Sequence, residues 1–526
     1  MTKNMLFVKP PIWELGEEPC LTTVPYGILS IVTYINKFKS MDIQFDILDM
    51  NTAPWSDYSF DDLCIEFTKY IDKNDFNIIG LSIMYNHMYP YIEILSDLIK
   101  DVNNNIVTLV GGACATVYYE KMLVEIPTVD VVCYAEGELP IFDLLHSKNV
   151  NECFLSHPSF ITKESVINKK IPLPNYIEDL DLIPPINFSL IDLSKYLNKF
   201  LSVIRPVESN KDEFCLPITT TRGCPYSCVF CTAGTLSGKK VRKASAEKVI
   251  NDIIEMRDKY GVNTITIEDD QFLYDKKRAK KILSKIAELK IILFSNSGFT
   301  VSLIDDEIVE LMKNSGLRMI NLPIESGSPH VAYKIIHKPI RLEKVAPLVI
   351  KLRKAGIYCS GTIIIGLPGE KPEHRQESID FVKKSGIDWC YIFCAKALKG
   401  SKLYDDCIKN KYIDQDKLIN GSYYSSQINT PDFTSEEITE KSYLMNLELN
   451  FVENNNIKRG EYKLAIIYFE HVLEKCSNHA FAMFYIAKCY GFLKDTNKFE
   501  SYMDKFYSII LKDLTWKKYS NYFGLV

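Results

Sequence analysis

Residues 219–232 of the chain read Thr-Thr-Thr-Arg-Gly-Cys-Pro-Tyr-Ser-Cys-Val-Phe-Cys-Thr and follow a short apolar run that is typical of a strand. Three residues separate Cys224 from Cys228, and two separate Cys228 from Cys231. Three thiolates this close together in one loop can converge on one side of a metal centre. Zinc sites and iron–sulfur cubanes normally take four protein ligands, yet no His or Cys follows Cys231 until His330. Three ligands would leave one iron of a cubane open to a small molecule; the alternative is three unrelated cysteines in a chain that has 15.

The spacing C-x3-C-x2-C, with Gly223 ahead of it and Phe230 just before the last cysteine, resembles the cluster loop of the radical S-adenosylmethionine (radical SAM) superfamily. The resemblance implies that Cys224, Cys228 and Cys231 bind a [4Fe-4S] cluster. The open iron would then chelate SAM beside Phe230, and an electron from the cluster would cleave SAM to a 5′-deoxyadenosyl radical. It also implies an electron donor of the flavodoxin or ferredoxin type.

Length and composition exclude several classes of protein. The 526 residues leave room for about three domains. A net charge of −5 and a pI near 6.0 argue against binding along a nucleic-acid backbone. No apolar run approaches the roughly 18 residues of a membrane helix. Because the 15 cysteines show no regular spacing, we expect no disulfide scaffold and a reducing cytoplasmic location.

The first predicted domain, residues 1–150, alternates apolar runs with helical periods, which indicates a doubly wound parallel α/β unit. Strands are predicted at 5–9, 45–49, 77–84, 106–110 and 129–134, and helices at 25–35, 61–71, 89–100 and 139–146. Ligands of such sheets bind at the carboxyl ends of the strands. Here those ends carry polar or small residues: Ser82, Gly111, Gly112, Glu136, Gly137 and Glu138.

Together with Pro25-x-Gly27, this series resembles the cobalamin-binding Rossmann-like domain that precedes many radical SAM cores. The resemblance implies that cobalamin contacts Gly27, Ser82, Met84, Gly111, Gly112, Glu136, Gly137 and Glu138. The alternatives are a plain tight turn at the two adjacent glycines and a domain that has kept the fold without its cofactor. The chain lacks the Asp-x-His-x-x-Gly signature for a cobalt-ligating His. The one His near a strand end, His87, is interpreted as a polar loop residue.

A connector (151–214), proline-rich and acidic over 172–185, leads to the predicted core at 215–400. Strands predicted at 216–220, 264–268, 291–296, 319–325, 359–365 and 389–395 alternate with helices. Repeated strand–helix units imply a parallel sheet that curls into a partial barrel, with its site at the carboxyl ends of the strands. This matches the partial (β/α)6 barrel of radical SAM enzymes.

The family resemblance extends to the ends of the later strands. It implies that SAM is contacted by Glu268, Asp269, Ser297, Glu325, Ile365 and Gly366. Helix capping is the alternative for Asp269 or Asp270, and a plain tight turn is the alternative for Gly366. Cys394, near the end of the last strand, is interpreted as a packing residue. No residue is assigned as a substrate base or radical quencher.

The C-terminal part, 401–526, is predicted to be helical. Residues 460–469 and 480–490 resemble a tetratricopeptide (TPR) helix pair, and 496–511 form a third helix, so the TPR-like segment spans about 455–511. A solenoid needs about three repeats to bury a core on its own. The segment should therefore dock on the barrel as a cap or contact a peptide or carrier-protein substrate.

The combined resemblance predicts a cobalamin-dependent radical SAM methyltransferase that modifies an unactivated carbon of a small-molecule or peptide substrate. The alternative within the same architecture is a cyclase, epimerase or oxidase, with cobalamin bound or absent. A cluster- or cobalamin-binding sensor is a further alternative, although it would not require the SAM-site turns. Thiolation of tRNA is disfavoured, because the sequence has no second cysteine triplet and no basic C-terminal RNA-binding domain.

Overall fold

A computed structural model describes residues 3–13, 23–39, 43–196, 213–294, 299–414 and 422–526 of the chain. Its first part is a six-stranded sheet with helices on both faces. The strands are β1 (Lys3–Lys9), β2 (Ile43–Asp49), β3 (Ile78–Ser82), β4 (Val107–Gly111), β5 (Val131–Cys133) and β6 (Phe160–Thr162). The helices are α1 (Tyr26–Phe38), α2 (Phe60–Lys73), α3 (Tyr89–Val102), α4 (Ala113–Glu125), α5 (Glu138–His146), α6 (Val150–Ser156) and α7 (Lys163–Ile167).

The strand order is β2-β1-β3-β4-β5-β6, and the pairs from β2 to β5 are parallel. Alternate residues of β1 show why helices cover both faces: Leu6 and Val8 belong to one buried cluster, whereas Met5 and Phe7 belong to another. A sheet buried on both faces gives continuous apolar strands rather than alternating ones. The predicted doubly wound unit is therefore confirmed.

Two features of this sheet were not predicted. Helix α4 was missed because its apolar residues do not mark one clear face and the glycines before it indicated only a turn. Strand β6 pairs antiparallel with β5 and lies beyond residue 150. The domain limits at 150, 214 and 400 stay predictions, and β6 favours a later end for the first one.

The second part contains two three-stranded parallel sheets, flanked by helices. The strands are β7 (Cys215–Ile218), β10 (Thr264–Ile267), β11 (Ile292–Phe294), β12 (Met319–Glu325), β13 (Tyr358–Ile365) and β14 (Trp389–Cys394), with a small ladder of β8 (Thr221–Arg222) and β9 (Arg242–Lys243). The helices are α8 (Ala233–Leu236), α9 (Ala246–Tyr260), α10 (Lys276–Glu288), α11 (Asp306–Asn314), α12 (Val345–Lys354), α13 (Pro372–Ser385) and α14 (Lys402–Lys409).

The strand orders β11-β10-β7 and β12-β13-β14 are those of successive strand–helix units, and one apolar core joins the two sheets. All six predicted strands of the core are present, with ends within a few residues of their predicted positions. This arrangement confirms the predicted radical SAM barrel fold and brings the carboxyl ends of its strands to one side.

The third part is helical: α15 (Ser435–Leu447), α16 (Asn455–Lys458), α17 (Tyr462–Lys475), α18 (Ala480–Phe492), α19 (Thr496–Lys512) and α20 (Leu514–Tyr522). The buried side chain of Asp388 links this part to the barrel. Within the barrel, its carboxylate accepts a hydrogen bond from the Cys359 backbone N–H at 2.7 Å and pairs with Arg353. It also pairs with Arg459 of the helical part at 2.6 Å. Within the described ranges, no helix is long and apolar enough to cross a membrane.

Candidate functional site

The cysteine loop after β7 is held in shape by two carboxylates from the end of β10. Asp269 accepts hydrogen bonds from the backbone N–H groups of Thr220 and Thr221, the latter at 2.9 Å. Asp270 accepts one from Gly223 at 2.8 Å. Burial raises the pKa of Asp269 to about 6, because desolvation outweighs the hydrogen bonds that favour its charged form. These contacts give both aspartates a positioning role, rather than the helix capping considered from the sequence.

Two of the three sulfur atoms of the loop accept hydrogen bonds from neighbouring groups. The Gln271 side-chain amide donates to Cys224 Sγ at 3.3 Å, and the Ala233 backbone N–H donates to Cys231 Sγ at 3.5 Å. Hydrogen bonds to the sulfur atoms are one of the factors that set the reduction potential of an iron–sulfur cluster. Gln271 itself accepts a hydrogen bond from Thr300 at 3.1 Å, so its amide orientation is fixed. No sequence pattern marks Gln271 as part of this site.

The donor set of this loop fits a cluster better than a single ion. In the described part of the chain, no three His, Cys, Asp or Glu side chains are arranged to hold one metal ion. Thiolates that bind different irons of a [4Fe-4S] cluster lie farther apart than the ligands of one ion, so this finding agrees with three cysteines serving a cluster. Burial raises the pKa of Cys228 to about 11, so cluster binding must displace a proton from it.

Beside the cysteines, Glu325 forms an ion pair that the sequence did not indicate. Its carboxylate contacts Lys338 Nζ at 2.9 Å and accepts a hydrogen bond from Thr362 at 3.2 Å. Burial alone would lower the pKa of Lys338, but the charges of Glu325 and the nearby Cys228 outweigh this effect and raise it. Glu325 has a φ of 68°, a left-handed conformation that costs a non-glycine residue about 1–2 kcal/mol and often occurs at functional sites.

The other residues predicted to contact SAM lie as follows. Glu268 is half-buried at the end of β10 and accepts a hydrogen bond from Thr266 at 2.9 Å. Phe230 packs half-buried against the barrel core. Ile365 is fully buried, and Gly366 donates its N–H to Glu370 at 2.6 Å. Ser297 lies outside the described residues. The SAM contacts themselves stay predictions.

All eight residues predicted to contact cobalamin line one cavity of about 220 Å³, called here the narrow cavity. It lies at the carboxyl ends of β1, β3, β4 and β5, and glycine backbone makes up much of its wall. A Cβ placed on Gly27 would meet nothing within 4 Å, whereas one on Gly112 would come within 2.5 Å of the Ile83 carbonyl oxygen. Gly112 therefore allows two chain segments to touch, and Gly27 leaves open space for a ligand.

The size of the narrow cavity fits part of cobalamin. A corrin ring is too wide for a slot of this volume, but the nucleotide tail of cobalamin is narrow enough to enter it. His87 lies apart from this slot: its Nε2 is 2.9 Å from the Ile12 carbonyl oxygen, and its ring stacks on Tyr85. This placement agrees with its interpretation as a polar loop residue.

A larger side chain in the narrow cavity should weaken cofactor binding without affecting folding. We expect Gly27→Leu to lower cobalamin affinity at least about tenfold, because the new side chain takes the space of the ligand. Folding should be unharmed, since leucine is a better helix former than glycine by up to about 1 kcal/mol. Equilibrium dialysis with aquacobalamin would measure the affinity. Lys37→Leu, on the exposed face of α1, is the matched control and should bind as the unaltered protein does; equal binding by Gly27→Leu would contradict this assignment.

The narrow cavity is joined to the cysteine loop by an interdomain ion-pair cluster of Arg222, Arg242, Glu136 and Glu138. Arg222, two residues before Cys224, contacts Glu138 at 2.7 Å and Glu136 at 2.9 Å. Arg242 contacts Glu136 at 2.5 Å. Burial by itself would raise the pKa of Glu138. The charge of Arg222 and the hydrogen bonds from Arg222 and Ser30 outweigh this effect, so the pKa is lowered. The Glu-Gly-Glu motif therefore fixes the first domain against the cluster loop while lining the cavity.

A second, wide cavity of about 730 Å³ opens between the two domains. Met84 lines both cavities. Thr232 and Leu236, which follow the cysteine loop, form another side of the wide cavity, and Phe393 of β14 together with residues 396–399 after this strand forms a third. The wide cavity thus connects the narrow cavity, the cluster loop and the end of the barrel.

Comparison with known proteins agrees with this geometry. The Radical SAM superfamily profile matches residues 218–382, and the B12 binding domain profile matches residues 20–145. A cytidylyl-2-hydroxyethylphosphonate methyltransferase of Streptomyces wedmorensis is 26% identical over 404 residues, which cover 71% of this chain and 75% of that protein. An uncharacterized methyltransferase of Pyrococcus horikoshii is 27% identical over 448 residues, which cover 84% of this chain and 92% of that protein.

Among solved structures, the cobalamin-dependent S-adenosylmethionine radical enzyme OxsB, with aqua-cobalamin and S-adenosylmethionine bound, is similar with a TM-score of 0.65. The alignment covers 100% of this chain and 81% of OxsB at 14% identity, a level that supports the shared fold. The Radical SAM profile covers the cysteine loop, and the B12 binding domain profile covers most of the lining of the narrow cavity. The chain therefore contains a B12-binding domain followed by a radical SAM domain, and it shares the fold of OxsB.

Proposed function

We propose that this chain is a cobalamin-dependent methyltransferase that moves a methyl group from SAM to an unactivated carbon of a small-molecule or peptide substrate. The observation that carries the proposal is the wide cavity, because it is bordered by both the narrow cavity and the cysteine loop. A methyl carrier and a radical source that share one cavity can act on the same carbon. The methyltransferase names of two relatives support the same reaction.

The residues of the chain have distinct roles in this proposal. Cys224, Cys228 and Cys231 would hold the cluster, and the lining of the narrow cavity would hold the tail of cobalamin. When bound, the cluster supplies the electron that cleaves SAM, and cobalamin supplies a carrier for the methyl group. Glu325 and Lys338 form a charged pair beside the cysteines that can bind the zwitterionic amino-acid end of SAM.

The proposal is tested on protein purified without oxygen in the presence of cobalamin. We expect about four irons per chain and about one cobalt. With SAM and a reductant, both 5′-deoxyadenosine and S-adenosylhomocysteine should form. The cobalamin-depleted Gly27→Leu variant is the matched control: it should keep its iron and its 5′-deoxyadenosine but lose S-adenosylhomocysteine.

Iron without cobalt in the unaltered protein would contradict methyl transfer through cobalamin. A cobalamin-free cyclisation, epimerisation or oxidation would then become the leading reaction. Loss of both products despite bound cobalt and iron would contradict the enzymatic proposal as a whole.

For the C-terminal helices we propose the role of a structural cap. Asn450 supports it, because its side chain bonds both backbone groups of Cys390 in β14, at 2.8 and 2.7 Å. Asn455 adds a bond to the Ile387 carbonyl oxygen at 2.9 Å. A TPR-type contact with a peptide or protein, the flavodoxin- or ferredoxin-type electron donor and the cytoplasmic location stay predictions.

A further inference from the structure

The wide cavity contains a buried cation that the proposed reaction does not use. Lys396 follows β14 by two residues, lines this cavity and is 7% exposed. Its Nζ is shielded from solvent and has no hydrogen-bond partner among the described residues. Burying an unpaired ammonium costs free energy, so buried lysines normally have a counter-charge or an acceptor.

The described lining of the wide cavity provides no such counter-charge. It contains a second lysine, Lys399, and no Asp or Glu. Lys399 has an aromatic neighbour, since its Nζ lies 5.5 Å from the centre of the Tyr118 ring. Lys396 therefore has no counter-charge among the described residues of the cavity lining, and burial lowers its pKa, so an anion that entered the cavity would favour its charged form. Because the lysine stem is flexible, the ammonium can turn toward an acceptor that enters.

The remaining wall is rich in aromatic rings. Phe393 lies 5.6 Å from Tyr424 and 6.2 Å from Tyr423, measured between ring centres. On the side of the first domain, Tyr85 stacks on His87 at 5.4 Å. Apolar and aromatic walls with few polar groups are typical of small-molecule sites, where the polar groups fix the orientation of the ligand.

We propose that the substrate of the wide cavity carries an oxyanion, a carboxylate or a phosphate ester, which Lys396 binds while an apolar body packs against the aromatic wall. The proposal rests on the proposed function and narrows its substrate class. The bound oxyanion would supply the missing partner of Lys396. It would also hold the rest of the substrate near the cluster loop, because Thr232 lines the same cavity.

The test uses the holoenzyme, loaded with cluster and cobalamin, and four probes: benzoate with its neutral counterpart benzamide, and phenyl phosphate with its neutral counterpart phenol. Isothermal titration calorimetry would measure binding to the unaltered protein, Lys396→Met and Lys396→Arg. Lys402→Met is the matched control, because that side chain is exposed and paired with Asp406 at 2.8 Å. Preference between benzoate and phenyl phosphate identifies which oxyanion the cavity accepts.

We expect at least one acid to bind about tenfold more tightly than its neutral counterpart, since a hydrogen bond to a charged group has that effect or more. Lys396→Met should remove this preference, whereas Lys396→Arg and Lys402→Met should keep it. Equal binding of acids and neutral counterparts, or no binding of either acid, would overturn the proposal. So would an unchanged preference in Lys396→Met.

The same variants distinguish the substrate from the cofactors as the source of the oxyanion. SAM has a carboxylate and cobalamin has a phosphate, and either could reach Lys396. We expect Lys396→Met to retain its cobalt content and its affinity for SAM; a loss of either by about tenfold or more would assign Lys396 to that cofactor and overturn the proposal. Cobalamin-dependent S-adenosylhomocysteine formation is measured separately, so failure of the proposed function is recognised independently.

Discussion

Replacing Cys228 by alanine should abolish 5′-deoxyadenosine formation and leave the purified protein with almost no cluster iron. Three thiolates hold the cluster in our assignment, and the loss of one leaves two, too few to hold it in place. Cobalt content should be unaffected, because the narrow cavity lies in the first domain and its lining includes no residue of the Cys-x3-Cys-x2-Cys segment. Cys224→Ala and Cys231→Ala should behave in the same way. Iron analysis, the visible spectrum and product chromatography would check these outcomes.

Cys476→Ala is the matched control for this series. Cys476 is also a free, half-buried cysteine, but it lies between α17 and α18, and its thiol donates a hydrogen bond to Asn478 at 3.2 Å. Iron content and 5′-deoxyadenosine should match those of the unaltered protein. Formation of 5′-deoxyadenosine at the normal rate in Cys228→Ala would show that the cluster is held elsewhere and would contradict the assignment of the site.

A second large effect is expected from Arg222→Met, which removes the central member of the interdomain ion-pair cluster. The Arg222 side chain is 15% exposed, and its partners Glu138 and Glu136 are 5% and 13% exposed. Removing one partner of a buried ion pair costs about 3–5 kcal/mol, because the remaining charge stays buried without compensation. Urea denaturation should show a loss of this order, although Arg242 still neutralises part of the Glu136 charge.

The effect of Arg222→Met should extend to cobalamin binding, because Arg222, Glu136 and Glu138 all line the narrow cavity. Lys240→Met is the matched control. Lys240 is near Arg222 in sequence and pairs with Glu178, but the two side chains are 77% and 61% exposed. Exposed pairs contribute about 0–1 kcal/mol, so stability and cobalamin binding should hardly change. Equal stability of Arg222→Met and Lys240→Met would show that the cluster does not join the domains.

The strand ends of the first domain show which features of the site can be predicted from sequence patterns. Gly111, Gly112 and the Glu-Gly-Glu motif were each weak signals, yet the structure brings all of them to the lining of one cavity. These residues meet because the carboxyl ends of parallel strands lie at one edge of the sheet, whereas their contact with cobalamin stays a prediction. Helix α4 was missed because its burial comes from contacts on several sides, which a single-face pattern does not reveal.

By itself, the sequence determined the cysteine loop, the strand–helix repeats and the strand ends where we expect the cofactors to bind. These depend on spacings of a few residues and on regular backbone geometry, both of which are local. Only the tertiary structure decided the partners of charged side chains, such as Arg222 with Glu138, which lies 84 residues earlier. It alone revealed that Lys396 has no hydrogen-bond partner in the described part of the chain. The sequence gives the type of each charged residue. Its counter-charge and its burial depend on segments that are distant in sequence and come together only in the folded chain.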